Sequence, residues 1–116
     1  MSQILQMADN QRTNGIIGEE KLIDLKFEWD EEKDRINREK HGISFETASY
    51  VFRDEYYIEM YDFEHSIDED RYIAIGKVGD LLFVVFTEHG ETIRLISARL
   101  ATERERRLYY DQNFYN

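Results

Sequence analysis

Among the basic side chains of the sequence, we single out four near the predicted ends of strands or helices that could hold a phosphate group or move a proton. They are Arg71, Arg94, Arg99 and His41. The guanidinium group of arginine is planar, remains charged and can bind two phosphate oxygens at once. Histidine titrates near neutral pH, and the C-terminal end of a helix favours its charged form, so His41 could act as an acid. This set of side chains suits acid–base chemistry at a phosphate ester.

Each of these residues also has an ordinary structural interpretation. Arg94 and Arg99 could be surface arginines of a half-exposed strand. Arg71 opens a predicted strand and could form an ion pair with the acidic residues at 68 and 70. His41 could simply neutralise the negative end of a helix dipole. The residue types alone leave both interpretations open.

The spacing of two of the arginines raises a geometric problem. Successive side chains of a strand point to opposite faces of the sheet, so residues five apart, such as Arg94 and Arg99, lie on opposite faces. They can share a site only if a β-bulge lies between them or if Arg99 is already past the end of the strand. A helix cap at Thr102 makes the second arrangement plausible.

Two lysines could extend the same site. Lys33 and Lys40 lie seven residues apart, which places them on roughly one face of a helix. They could contact further phosphate groups, or they could be solvated surface lysines. We expect no metal ion and no cofactor. The chain has no cysteine, and its acidic segment at 62–70 lacks the glycine and the spacing of a calcium loop.

The elements that must position these residues are predicted from periodicity and caps. Alternating apolar residues indicate a strand at 22–29, and Asp30 and Gly42 are suited to begin and end a polar helix. Ser44 opens a second short helix, and Thr102 with Glu105 forms a capping box before a last one. Further strands are predicted at 56–61, 71–76, 81–87 and 92–99. The order β-α-α-β-β-β-β-α predicts an α+β fold with a mostly antiparallel sheet, two N-terminal helices and one C-terminal helix.

Length and charge limit the number of domains and the kinds of partner that we expect. The 116 residues predict one domain at 22–116, preceded by a flexible arm at 1–21. No apolar run is long enough for a membrane span, and the start does not look like a signal peptide. The net charge of −10 argues at first against a nucleic-acid partner. However, residues 54–70 carry eight acidic groups and no basic one, so the excess is mostly local.

Several spaced motifs within residues 25–108 resemble the BrnT toxin family. They are FEWDEEK at 27–33, KHGISFETA at 40–48, RYIAIG at 71–76, VVFTEHG at 84–90 and IRLISAR at 93–99. The resemblance implies the compact fold of RelE- and ParE-like toxins. It also implies a cytoplasmic ribonuclease that cleaves RNA without a metal and blocks translation. Its expected partner is a BrnA-like ribbon-helix-helix antitoxin, through which the complex contacts operator DNA.

Under this resemblance the candidate residues take roles in RNA cleavage. A base must remove the 2′-hydroxyl proton, a cation must stabilise the charged phosphorane, and an acid must protonate the leaving oxygen. Arg71, Arg94 and Arg99 fit the cationic role, His41 fits the acid, and the two lysines would bind RNA. The acidic segment supports an alternative, a binding module without catalysis that acts through assembly with the antitoxin and its operator.

Overall fold

The structure, a computed structural model, describes residues 25–114. The predicted arm at 1–21 lies outside the described residues, as do the first three residues of the strand predicted at 22–29. In chain order the elements are β1 (Lys26–Glu28), α1 (Glu31–His41), α2 (Phe45–Ser49), a 3-10 turn (Tyr50–Arg53), β2 (Ile58–Tyr61), β3 (Tyr72–Val78), β4 (Asp80–His89), β5 (Thr92–Leu100) and α3 (Glu103–Phe114).

The five strands form one sheet in the order β1-β5-β4-β3-β2. β1 is parallel to β5, and the other three pairings are antiparallel. This arrangement confirms the α+β class with a mostly antiparallel sheet. β2 is shorter than the strand predicted at 56–61. Asp54 holds the preceding residues in a turn, because its carbonyl accepts from Tyr57 N at 3.1 Å and its carboxylate accepts from Tyr56 N at 3.0 Å.

The strongly polar helix α1 is held by its ends and by two buried polar side chains. The carboxylate of Asp30 accepts from the second and third residues of the helix, and Gly42 ends it in the left-handed conformation, as predicted. Inside the helix, Asp34 accepts from Phe45 N at 2.7 Å. The side-chain amide of Asn37 donates to the carbonyl of Ala98 at 2.8 Å and accepts from the N–H of Ala98 at 3.1 Å, the same bonds that a neighbouring strand would make. The helix is therefore attached to β5 by hydrogen bonds rather than by an apolar stripe.

A first core fills one face of the sheet. It contains the buried residues of α2 and of the 3-10 turn, packed against alternate residues of the central strand β4. Those strand residues are Leu82, Val84 and Phe86. Phe45, Ala48 and Val51 are completely buried, which confirms that the apolar spacing of 45–52 faces the core.

A second, smaller core lies on the other face, where Tyr109 of α3 packs against Ile75 and Leu81. These residues belong to the end of the sheet at which β3 finishes and β4 begins. The opposite end of this face, where β4 finishes and β5 begins, carries polar side chains. No helix among residues 25–114 is long and apolar enough to cross a membrane.

Candidate functional site

A β-bulge in β5 places Arg94 and Arg99 on the same face of the sheet. The register of β5 against β4 shifts between Val85 and Phe86, which leaves Ile96 as an extra residue. One extra residue reverses the alternation of side chains beyond it. Of the two arrangements that would let the arginines share a face, the structure therefore contains the bulge.

The two arginines nevertheless lie at different ends of that face. Arg94 pairs with Thr87 and Arg99 pairs with Phe83, so four residues of β4, roughly 13 Å, separate them. The structure thus brings the two arginines to one face without bringing them into one site.

Arg99 is engaged in holding helix α3. Its guanidinium forms two hydrogen bonds to Glu105, at 2.9 and 3.0 Å, and lies 3.9 Å from the centre of the Phe83 ring. Glu105 also accepts from Thr102 N at 2.8 Å, which confirms the capping box. Partial burial raises the pKa of Glu105, but the bonds from Arg99 and Thr102 outweigh it and lower the pKa. Arg99 therefore joins the end of β5 to the first turn of α3.

Arg94 lies in a different cluster, with Glu28 of β1 and His89 of β4. The parallel pairing of β1 and β5 places Glu28 directly beside Arg94. One carboxylate oxygen, Oε2 of Glu28, is 3.2 Å from Nη1 of Arg94 and 2.9 Å from Nδ1 of His89. The other ring nitrogen of His89, Nε2, lies 3.8 Å from Glu69 in the loop before β3. We call Glu28, His89 and Arg94 the Glu28 cluster.

The hydrogen bonds within this cluster set the charge of Glu28. The bond with His89, and then the bond with Arg94, hold the pKa of Glu28 below its usual value, so it is a carboxylate at neutral pH. A carboxylate can only accept a hydrogen bond, so a neutral His89 carries its proton on Nδ1. Its Nε2 atom, which lies 3.8 Å from Glu69, is then the ring nitrogen that can accept a proton.

Arg71 comes one residue before the β3–β4 ladder, at the same end of the sheet as Thr87. The Tyr72–Phe86 pair is the last of the β3–β4 ladder at this end, and Thr87 Oγ1 donates to the carbonyl of Asp70 at 2.7 Å. Among residues 25–114 no ion pair joins Arg71 to either of the aspartates before it. Its Nε atom is buried and has no hydrogen-bond partner in that part of the chain. A buried donor without a partner costs about 1–3 kcal/mol of folding free energy, so the described fold leaves Arg71 incompletely paired.

The remaining predicted residues lie on α1, outside this cluster. His41, Lys33 and Lys40 are exposed, and in the described part of the chain no hydrogen bond or ion pair joins them to Arg71 or Arg94. His41 occupies the last turn of the helix, as predicted. The structure places His89, and not the predicted acid His41, against the carboxylate that Arg94 bonds.

Sequence analysis missed Glu28 and His89. Glu28 lies on the polar face of the strand predicted at 22–29, and His89 lies between the strands predicted at 81–87 and 92–99. Alternation could place Glu28 on that face, but only the pairing of β1 with β5 shows which residue it contacts.

Within residues 25–114 no group of three or more histidine or acidic side chains is arranged to hold a metal ion.

The acidic segment forms a loop with two exposed apolar side chains. Phe63 and Ile67 are each 84% exposed, and acidic residues surround them. Asp62 is buried and closes the loop, accepting from His65 N at 3.2 Å while its second carboxylate oxygen lies 3.1 Å from His65 Nδ1. We call residues 62–70 the acidic loop. Large apolar side chains held out in water are typical of an interaction surface.

Comparison with known proteins identifies the group to which this architecture is similar. Residues 29–105 match the model of the BrnT family, described as the ribonuclease toxin of type II toxin-antitoxin systems. The crystal structure of the ribonuclease toxin BrnT from Brucella abortus matches with a TM-score of 0.54 and 25% sequence identity. That match covers 68% of this chain and 99% of the Brucella chain. No curated protein matches the sequence.

Proposed function

Since the chain belongs to the BrnT family of ribonuclease toxins of type II toxin-antitoxin systems, we propose that it is a metal-independent endoribonuclease. Its active site is the end of the sheet that carries Arg94 and Arg71. The observation that supports this location is that Arg94 pairs with Thr87, whose hydroxyl donates to the carbonyl of Asp70, the residue before Arg71. Phosphate oxygens are the acceptors that two neighbouring guanidinium groups bind best.

The proposed reaction uses the 2′-hydroxyl of RNA as the nucleophile. The arginines bind the non-bridging oxygens of the scissile phosphate and stabilise the negative charge that develops on them. The products are a 2′,3′-cyclic phosphate and a free 5′-hydroxyl. His41, Lys33 and Lys40 lie on α1 and would contact RNA beyond the cleaved bond. Arg99 acts on the fold, through α3, rather than on the phosphate.

The biological setting follows from the family. We propose that the fold is RelE-like, that the protein acts in the cytoplasm and that its cleavage of RNA inhibits translation. Its antitoxin would be a ribbon-helix-helix protein similar to BrnA, and operator DNA would be contacted only through that antitoxin.

The acidic loop is the surface we assign to the antitoxin. The exposed Phe63 and Ile67 would enter the partner's apolar surface, while Glu64 and Asp68 would face basic residues around it. The same loop is the observation that favours a second candidate function, a binding module that assembles with an antitoxin without cleaving RNA.

A nuclease assay with matched arginine variants tests the proposal. The purified chain is incubated with mixed-sequence RNA in excess EDTA, and the ends of the products are mapped. Arg94→Ala should lower the rate by about 10²-fold or more, as loss of one preorganised donor to a developing charge does. Arg53→Ala is the control, because Arg53 is an exposed arginine whose guanidinium lies over the ring of Tyr50. Intact RNA with the folded, unchanged chain would leave only the binding-module function.

A further inference from the structure

We propose that His89 is the general base of this ribonuclease and that Glu28 is the residue that positions it. The inference rests on the proposed function, which it deepens by naming the group that activates the 2′-hydroxyl. It is carried by the geometry of the Glu28 cluster, in which one carboxylate oxygen contacts both the histidine and the arginine assigned to the phosphate.

Glu28 is itself fixed in place. It lies in β1, pairs with Arg94 across the parallel ladder and accepts a hydrogen bond from it at 3.2 Å. A side chain held by its strand and by a cation is a stable support for a second group. The carboxylate is thus held 2.9 Å from His89 Nδ1 without needing a substrate.

The contact with Glu28 leaves the other ring nitrogen of His89, 3.8 Å from Glu69, as the one that can take a proton. With Nδ1 donating to the carboxylate, Nε2 is the basic atom of the ring, and the carboxylate stabilises the positive charge that forms when Nε2 takes a proton. His89 is half exposed, so RNA can reach it. Arg94 lies on the other side of the same carboxylate oxygen, which places the phosphate-binding group and the base side by side.

The chemical step balances with these groups and water. Nε2 of neutral His89 removes the proton of the 2′-hydroxyl while the 2′-oxygen forms a bond to phosphorus. The bond from phosphorus to the 5′-oxygen breaks, its electron pair stays on that oxygen, and water supplies the proton that neutralises it. The imidazolium then returns its proton to the hydroxide left in solvent. No redox change occurs, and Arg94 remains charged throughout.

His65 is the natural comparison, because its Nδ1 also lies 3.1 Å from a carboxylate, that of Asp62. Asp62 additionally accepts from the main-chain N–H of His65, so the contact closes a local loop of four residues. Among the described residues no arginine bonds the carboxylate of Asp62. Each of the two histidines thus contacts a carboxylate of its own. Only the carboxylate that contacts His89 also bonds a phosphate-binding group.

The experiment begins by finding a phosphodiester bond in RNA that the unchanged chain cleaves. Mapping the products from mixed-sequence RNA identifies such a bond, and an oligonucleotide spanning it becomes the substrate. His89→Gln should lower kcat by about 10²–10⁴-fold, the usual contribution of a general base. Arg53→Gln, at an exposed arginine outside the Glu28 cluster and the acidic loop, should not lower it. Glu28→Gln should lower kcat more than it changes KM, because it displaces the base rather than the RNA.

Two further measurements separate a catalytic from a structural role. His89→Ala should regain activity when free imidazole is added, whereas Arg94→Ala should not. A substrate with sulfur in place of the bridging 5′-oxygen has a leaving group that needs no proton. The defect of His89→Gln should persist on it, since the 2′-hydroxyl still needs a base.

The outcomes distinguish this inference from the proposed function. If the unchanged chain cleaves no RNA, both are overturned. If it cleaves RNA and His89→Gln cleaves as fast, the ribonuclease remains and the assignment of His89 is wrong. If the sulfur substrate removes the defect of His89→Gln, the histidine is the acid and the assignment as a base is overturned.

Discussion

Oε2 of Glu28 lies 3.2 Å from Nη1 of Arg94, although 66 residues separate them in the chain. The contact exists because the short strand β1 runs parallel to β5 and brings these two residues into register. It holds the guanidinium group of Arg94 at the end of the sheet, between Thr87 on one side and Glu28 on the other. The site is therefore organised around a strand of only three residues.

RNA binding should depend on Arg71 through its charge. Arg71→Gln removes one phosphate contact, so the plot of log affinity against log salt should become shallower by about 0.7 for single-stranded RNA. Filter binding or fluorescence anisotropy at several salt concentrations measures this slope. Arg53→Gln removes the same charge elsewhere on the surface and is the matched control. Equal slopes for the two variants would mean that Arg71 does not touch the phosphate.

Arg99 should contribute to stability through its pair with Glu105. A double-mutant cycle of Arg99→Ala and Glu105→Ala should give a coupling energy of about 1 kcal/mol, since the pair is bidentate but partly exposed. Urea denaturation of the four proteins measures it. A coupling near zero, together with a loss of RNA cleavage by folded Arg99→Ala, would instead support a catalytic role for this arginine.

The side-chain amide of Asn37 should contribute more to the free energy of unfolding than Ile36, the single aliphatic residue of the same helix. Asn37→Ala removes bonds to both backbone groups of Ala98 and to the carbonyl of Ile43, so it should cost about 3 kcal/mol of unfolding free energy. Ile36 is 43% exposed, and Ile36→Ala should cost clearly less. Chemical denaturation gives both values, and the reverse order would show that α1 is held by apolar packing.

Tyr109 should make stability depend on alkaline pH. Burial, and then its hydrogen bond to Asp54 at 2.6 Å, raises the pKa of Tyr109 above its usual value. A raised pKa in the folded state means that the stabilisation is complete below about pH 10, where tyrosine ionises in the unfolded chain, and is lost as pH rises further. Thermal unfolding between pH 9 and 11 should show this decline. Tyr109→Phe should flatten the decline, whereas the exposed Tyr50→Phe should keep it.

The acidic loop should control association with the antitoxin. Phe63→Ser with Ile67→Ser removes two exposed apolar side chains and should mainly speed dissociation of the complex. Glu64→Gln with Asp68→Asn removes only charge and should mainly slow association at low salt. Surface plasmon resonance with a BrnA-like ribbon-helix-helix antitoxin measures both rates. Leu108→Ser, on the exposed face of α3, is the control for a general loss of apolar surface. If both double variants associate and dissociate at the rates measured for Leu108→Ser, the antitoxin binds another surface.

The elements of this protein follow from short-range signals in the sequence. Asp30, Ser44 and Thr102 each accept from main-chain N–H groups two or three residues further on, and Gly42 takes the left-handed conformation. Such contacts depend on neighbours in the chain, so residue type and spacing suffice to predict them. The α+β class followed from the order of these elements.

The composition of the site was decided by the tertiary structure. Whether Arg94 and Arg99 share a face depends on the bulge at Ile96, and nothing within β5 alone marks the residue at which it loses register with β4. The choice of Glu28 as the partner of Arg94 depends on β1 pairing with β5 and not with another edge. The sequence by itself determined which side chains could bind phosphate. Only the pairing of β1 with β5, across 66 residues, determined that a carboxylate joins one of them to a histidine, because register is a property of two strands and not of either one.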